Sequence, residues 1–360
     1  MTDKGRRLKD VKAAQLAKRR RAKRRRRVMF LITEIFILFA LVVVGYGMMK
    51  YSKIQKSTFE KDSIKVNDGV KTEGYTTIVL FGGDSREGNL GAGTHADTMM
   101  VASVDNKTKE IRMVSVYRDM LARQEDGAIK KANNGYFKGG PEGAINMLNT
   151  NLDLDIMDYV AVDFTIVAEV VDRVGGIDVE LTEAEAVELN NTLIECKQVT
   201  GKEADNVIAG TQHLNGVQAL AYSRMRYNVG GDYARTDRQR FVVQEVLQKV
   251  KKNPLKINGM IDEIFPKVST SFTMGEIMKL ATGVLRYNIG ETSGYPFEKT
   301  DGNVAGIGSV VIQLGHVENV EELHAFLYPK DEYTVSATVR DIAGQVEQVS
   351  GYTRAHYSAP

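Results

Sequence analysis

The sequence predicts an α/β fold: an α–β–α sandwich with a mixed central sheet, behind a single N-terminal transmembrane helix. Three observations carry this. Short β-branched runs alternate with segments of helical spacing through residues 75–328. Two of the runs, 98–104 and 110–116, are joined by DNKTK, a hairpin turn, so the sheet holds antiparallel as well as parallel pairs. Residues 28–49, VMFLITEIFILFALVVVGYGMM, carry one charge, Glu34. At ~1.5 Å per residue such a run covers a ~30 Å hydrocarbon core.

The elements follow in order. Residues 1–27 hold 14 Lys and Arg against Asp3 and Asp10, a net of +12, which leaves −10 for the remainder of a chain of net charge +2. A basic head abutting an apolar span reads as a cytoplasmic topology signal and an anionic-lipid contact. Nucleic-acid binding and nuclear targeting are the other readings of such a run. No small-residue cleavage site follows Met49, so the span is expected to be an uncleaved signal anchor with residues 51–360 extracytoplasmic. Residues 50–74 are polar and aperiodic, an extracytoplasmic stalk.

Residues 76–81 (TTIVLF) read as a buried strand, 143–152 as a helix and 159–164 as a strand. Residues 165–174 are a helix ended by Gly175-Gly176, and 177–181 a strand. Helices are expected at 215–222 and 237–252, the second stopped by Pro254, and at 274–287 and 320–327, with a strand at 308–314. The tail after Pro329 offers no clear element and is expected to be extended or disordered. Cys196 is the only cysteine, which excludes an intrachain disulfide and a Cys-based structural metal site. An exported domain of this size must therefore rest on a true apolar core, for which 43% hydrophobic residues suffice.

The chemistry concentrates in three places. FGGDSREGNLGAGTHADTMM, residues 81–100, sets Asp84 and Asp97 at the two ends of a glycine-rich loop, with Arg86 behind the first. If the flanking strands are neighbours, both carboxylates stand at one sheet rim, where a hard cation such as Mg²⁺ would relieve their repulsion. Alternatively they are solvated turn formers. At 115–119, SVYRD, a strand end delivers Arg118 beside Asp119. In AYSRMRYNVGGDYARTDRQRFVVQEVLQKV, residues 221–250, five arginines fall at 224, 226, 235, 238 and 240. In an extended chain Arg224 and Arg226 would point the same way. On a helical wheel Val242, Val243, Val246, Leu247 and Val250 make one apolar stripe. Gln239 falls inside it, Arg235 at its edge, and Arg238 and Arg240 farther away. Polar groups on a core-facing stripe are costly unless an anion meets them, and arginine's planar fork suits phosphate oxygens. Carboxylates for a cation and arginines for an anion together describe a pyrophosphate or phosphodiester site. No Walker loop, GxGxxG, zinc motif or Ser-His-Asp order competes.

With these residues placed, the chain resembles the LytR–CpsA–Psr family of membrane-anchored cell-wall proteins. The matching blocks are IVLFGGDSR, HADTMMVASVDNKTKEIRMVSVYRD, YVAVDF with VVDRVGGIDVEL, and LNGVQALAYSRMR followed by GDYARTDRQR. The resemblance covers roughly residues 75–255, and less closely to about 328. It implies Mg²⁺-assisted transfer of an anionic glycopolymer from a polyprenyl-pyrophosphate carrier to peptidoglycan at the membrane, with Mn²⁺ as an equivalent cation. Asp84 and Asp97 match the metal aspartates. Arg118, Arg224, Arg226, Arg235 and Gln239 match the pyrophosphate binders, with Arg86 and Asp232 as helpers. Asp97 or Asp232 would accept the proton of the attacking hydroxyl, beside Arg118 as the charge stabiliser. Tyr117 departs from the family pattern, where a proline often precedes the arginine. Two other readings stay open: a pyrophosphatase using the same site with water, and a non-catalytic lipid sensor or regulator. No nucleic-acid partner is expected.

Overall fold

In the computed structural model, the described residues are 55–56, 61–83, 89–254, 263–264, 267–353 and 355, all within a unit running from Ile54 to Pro360. The basic head, the apolar span at 28–49, Asp84 and Arg86 lie outside them. Among the described residues no helix is long and apolar enough to cross a membrane.

The centre is a seven-stranded sheet in the order β1-β10-β7-β2-β3-β4-β11. Its strands are β1 (Gln55–Lys56), β2 (Tyr75–Gly83), β3 (Ala96–Asp105), β4 (Glu110–Val116), β7 (Asp158–Asp163), β10 (Ser269–Thr270) and β11 (Asn288–Tyr295). β2 pairs antiparallel with β3 and β3 with β4, whereas β7 runs parallel to β2 and β11 parallel to β4. The sheet is therefore mixed, as the hairpin predicted. The DNKTK turn closes because Asp105 accepts from the backbone N–H groups of Lys107 and Thr108.

Helices lie on both faces. On one, α1 (Asn133–Leu152) and α7 (His316–Leu327) bury Ala144, Ile145, Leu148, Val320 and Leu323 against Val79, Phe81, Val101 and Val114. Phe81 meets Tyr136 edge-on at 4.9 Å between ring centres. On the other, α2 (Phe164–Val174) and α5 (Gly231–Lys252) approach the sheet: Val162 packs beside Ile166, Val170 and Val246. Thr98 of β3 donates to Gln239 of α5, and Gln244 donates to Thr292 of β11. Burial alternates along β2: Thr77, Val79 and Phe81 are buried, while Ile78 and Leu80 stay half-exposed on the α5 side, as do Val160 and Val162 of the neighbouring β7.

Smaller strand pairs complete the unit: β5 (Leu121–Arg123) with β6 (Ile129–Lys131), β8 (Ile177–Leu181) with β9 (Gly210–Leu214), and β12 (Lys299–Val304) with β13 (Gly308–Gln313). The remaining helices are α3 (Glu183–Thr200), α4 (Gly216–Arg224), α6 (Met274–Gly283) and α8 (Ala337–Ser350). The predicted glycine stop of α2 is present: Gly175 caps it at φ 87°. α1 begins earlier than its spacing suggested, because Gly140 and Pro141 kink it and split the periodic pattern. α5 likewise starts at Gly231, six residues before the expected 237, which puts Asp232 and Arg235 on its first turns.

Two expectations are corrected. The tail after Pro329 is not simply extended, because α8 forms there and buries Val339, Ile342 and Val346. The polar stretch before residue 75, read as a stalk, is bonded along α1 over its described part: Lys65 N–H donates to Asn146, and Thr72 to Asp155. Both segments meet at Asp153, the fully buried C-cap of α1, which accepts from Asn67, from the Tyr333 hydroxyl, and from the Ser336 hydroxyl and backbone N–H.

His316 and His324 seal the other flank of the same helix end, donating Nε2–H to the carbonyls of Asn151 and Leu152. Burial pushes the His316 ring down to about 4 and lowers His324 as well, so both are neutral in the fold. The neutral rings stabilise the fold fully above the ordinary histidine value of 6.5, and that contribution is lost as the pH falls toward 4. His316 alone accounts for about 3 kcal/mol at most over this window. Urea midpoints measured from pH 7 to pH 4.5 are expected to fall, and His316→Gln should flatten that fall.

Candidate functional site

The site forms at the rim where β3 begins and β4 ends. Gly83, the last described residue of β2, pairs with Ala96, the residue before Asp97. One strand over, β4 ends at Val116, and Arg118 follows and donates to Asp97 at 2.5 Å. The first turn of α5 closes the ring: Asp232 takes Arg226 at 2.5 Å on one oxygen and Arg235 at 3.1 Å on the other. Arg118 Nε lies 3.5 Å from Asp119 and 3.7 Å from Asp232, within ion-pair range but with no hydrogen bond.

Asp97, Arg118, Arg226, Asp232, Arg235 and Gln239 thus line one cavity of about 420 Å³. A second cavity of about 450 Å³ lies alongside it, shares Asp97, Arg226, Arg235 and Gln239, and adds Arg224. Arg224 and Arg226 reach it by another route than an extended chain: Arg224 is the last residue of α4, and the two flank the buried Met225. Arg224 lies over the Phe164 ring at 4.6 Å and pairs with Glu195 at 3.2 Å.

The charges are not evenly compensated. At Arg118 burial works against the cation, but Asp97, Asp119 and Asp232 outweigh it and raise its affinity for the proton. Arg235 is held below the ordinary guanidinium value, first by burial and then by repulsion from Arg118. It is 5% exposed, and its Nε has no hydrogen-bond partner among the described residues. Among the arginines that line the cavities, Arg235 is therefore the one most in want of an anion, and it faces both of them.

Arg238 and Arg240 correct the helical-wheel picture. They were placed away from the core, yet both are buried. The protein itself satisfies Arg238: it donates to Glu185 at 3.0 Å and to the Val229 carbonyl at 2.8 Å. Arg240 pairs with Asp237. Neither lines the cavities, in keeping with Arg235 as the anion-facing residue of the helix.

Tyr117 is accommodated by a missing side chain. A Cβ on Gly294 of β11 would lie 2.0 Å from the Tyr117 hydroxyl, so glycine there opens the slot that the ring fills. Tyr117 then meets Tyr233 edge-on at 4.8 Å, and the Lys299 ammonium stands 5.3 and 5.2 Å from the two ring centres. Tyr233 donates to Asp301 at 2.5 Å.

Several residues of this region escaped the sequence reading. Asp301, Lys299 and Tyr233 join from distant parts of the chain with no local pattern. Glu188, Asn191, Thr192 and Glu195 line the second cavity from α3. Their i, i+3, i+4, i+7 spacing was the available signal. Among the described residues no group of three or more His, Cys, Asp or Glu side chains is placed to hold a metal, and Asp84 is outside them.

Solved structures share this fold. A protein from Streptococcus agalactiae, gbs0355, superimposes with a TM-score of 0.62 at 23% identity, covering 76% of this chain and 98% of that one. Bacillus subtilis TagT gives 0.54 at 20%, covering 73% and 94%. In sequence, the chain is 30% identical to the polyisoprenyl-teichoic acid–peptidoglycan teichoic acid transferase TagV of Bacillus subtilis, over 71% of this chain and 67% of the relative. It is also 30% identical to the transferase TagU of Enterococcus faecalis, over 71% and 82%. Biofilm regulatory protein A of Streptococcus mutans is 31% identical over 62% of this chain and 57% of its own length. Residues 41–323 match the LytR_cpsA_psr family, and the chain belongs to it.

Proposed function

We propose that this protein is a phosphotransferase that moves an anionic glycopolymer from a polyprenyl-pyrophosphate carrier to peptidoglycan at the outer face of the cell membrane. The observation that carries this is Arg235: a buried guanidinium, short of counter-charge, its Nε open, at the wall of two cavities beside Arg118 and Arg226. A site so built takes an anion with several oxygens, and a pyrophosphate matches three converging guanidiniums. The half-exposed apolar side chains Ile78, Leu80, Val160 and Val162 on the same side of the sheet support a hydrocarbon chain attached to it. Relatives named as teichoic acid transferases support the reaction class. The apolar span at 28–49, acting as anchor, would hold enzyme and lipid on one surface.

In this reading Arg118, Arg226 and Arg235 bind the pyrophosphate and stabilise the charge that gathers on it, with Gln239 orienting an oxygen. The acceptor hydroxyl oxygen attacks the glycan-side phosphorus. The bond from that phosphorus to the bridging oxygen breaks, its electron pair leaves with the lipid monophosphate, and the hydroxyl proton passes to Asp97 or Asp232. The carboxylates of Asp84 and Asp97 are the hard oxygen donors that would hold a divalent cation. Mg²⁺ or Mn²⁺ held there would neutralise pyrophosphate charge.

The test uses the full chain in nanodiscs with a donor labelled in its glycan, and peptidoglycan sacculi. Label should become covalently attached to the sacculi with release of lipid monophosphate. EDTA should stop this, and Mg²⁺ should restore it. Release of the label as free phosphoglycan would make the protein a hydrolase. Bound lipid without turnover would make it a sensor, the reading closest to relatives named as regulatory proteins.

A further inference from the structure

The second cavity holds a side chain that the pyrophosphate does not explain. Glu188 of α3 is 7% exposed, lines the cavity, and has no hydrogen-bond or ion-pair partner among the described residues. Carboxylates are seldom buried without a partner, because losing water costs several kcal/mol unless a donor replaces it. A donor is therefore expected from outside the chain.

The lining decides what kind. Glu188 and Glu195 line the cavity from one face of α3, so an anion is disfavoured along that wall, while Arg226 and Arg235 line the part shared with the first cavity. Arg224, the cation nearest the α3 wall, is already paired with Glu195. What remains is hydroxyl and amide chemistry beside an aromatic ring. Asn191 is exposed, Thr192 spends its proton on the Glu188 carbonyl and offers lone pairs, and Tyr227 is 73% exposed. A carboxylate for hydroxyl donors, polar neighbours and an open aromatic face are what an uncharged sugar ring uses. About 450 Å³ lies within the ordinary range of small-molecule sites.

We propose that this cavity is the subsite for an uncharged sugar of the acceptor glycan, with the Glu188 carboxylate accepting a hydrogen bond from one of its hydroxyls. The wall that it shares with the first cavity, Asp97, Arg226, Arg235 and Gln239, sets that sugar beside the phosphate-binding arginines. The two glutamates keep anionic groups off the α3 wall of the cavity. That the sugar is the acceptor rests on the transferase reading. The sugar site itself does not.

The experiment is a binding titration of the detergent-solubilised full chain with an uncharged N-acetylglucosamine tetramer, and separately with inorganic pyrophosphate. Glu188→Leu removes the acceptor, and Tyr227→Ala removes the ring from an exposed position where folding is not at stake. Each should raise the tetramer Kd at least tenfold and leave pyrophosphate binding within twofold. Glu188→Leu should remain folded, since the side chain lines a cavity and its loss strands no donor among the described residues. Tetramer affinity unchanged in Tyr227→Ala and in folded Glu188→Leu, or no tetramer binding to the wild type, overturns the proposal. If label never reaches peptidoglycan but tetramer binding depends on Glu188, the transferase reading fails and the sugar site stands.

Discussion

Arg235→Met should separate activity from stability. Transfer from the labelled donor is expected to fall 10²- to 10³-fold, the usual cost of deleting a preorganised charge-stabilising donor. The fold should not suffer. Arg235 is buried, repelled by Arg118, and left with an open Nε, so the native state without ligand gains little from its charge. Methionine fills similar space and removes the repulsion, and Asp232 keeps its contact with Arg226 at 2.5 Å. The melting temperature is therefore expected to hold or rise while turnover collapses. Arg238→Met makes the control with the opposite pattern. That guanidinium is satisfied by Glu185 and by the Val229 carbonyl, so its loss strands Glu185 Oε1 and that carbonyl, while Glu185 Oε2 keeps its bonds from Thr182. Stability should drop by about 2–3 kcal/mol, and any loss of activity should track the unfolded fraction. Thermal melts and single-turnover assays on both variants decide it. A fall in stability for Arg235→Met as large as that for Arg238→Met would mean that the arginine serves the fold.

Asp153→Ala is expected to give the largest stability loss outside the site. The carboxylate is fully buried and accepts from Asn67 upstream and from Tyr333 and Ser336 downstream. Removing it strands several donors at once, at about 1–3 kcal/mol each before relaxation. A total of about 3–5 kcal/mol is expected, seen as a shift in the urea midpoint. Limited proteolysis should then cut first in the segments that Asp153 joins, 61–74 and 329–336. A midpoint within experimental error of wild type would show that α1 and α8 hold those segments without it.

Both outcomes bear on where information sits in this chain. The strands 110–116 and 177–181 match their sequence-read bounds, because a period of two with β-branched residues is a local property. Positions 235 and 239 were legible for the same kind of reason: a polar side chain at or inside an apolar stripe is an anomaly visible in a short window. α3 was missed because its buried residues, Ala186, Leu189, Leu193 and Cys196, form a narrow stripe, while Val187 and Ile194 are exposed and blur it. β11 was missed because NIGETSGY has no apolar alternation and becomes a strand by pairing with β4.

By itself, then, the sequence determined the α/β class, the order of most elements, the basic head before an apolar run, and the residue types that a phosphate site needs. These depend on periodicity and composition, which neighbours along the chain set. Tertiary structure decided which arginine is satisfied and which is not. It assigned Glu185 to Arg238, set Asp232 among Arg226, Arg235 and Arg118, set Glu188 in the wall of a cavity, and docked both ends of the domain on Asp153. Desolvation and pairing are properties of groups brought together from far apart in the chain, and only the folded arrangement supplies them.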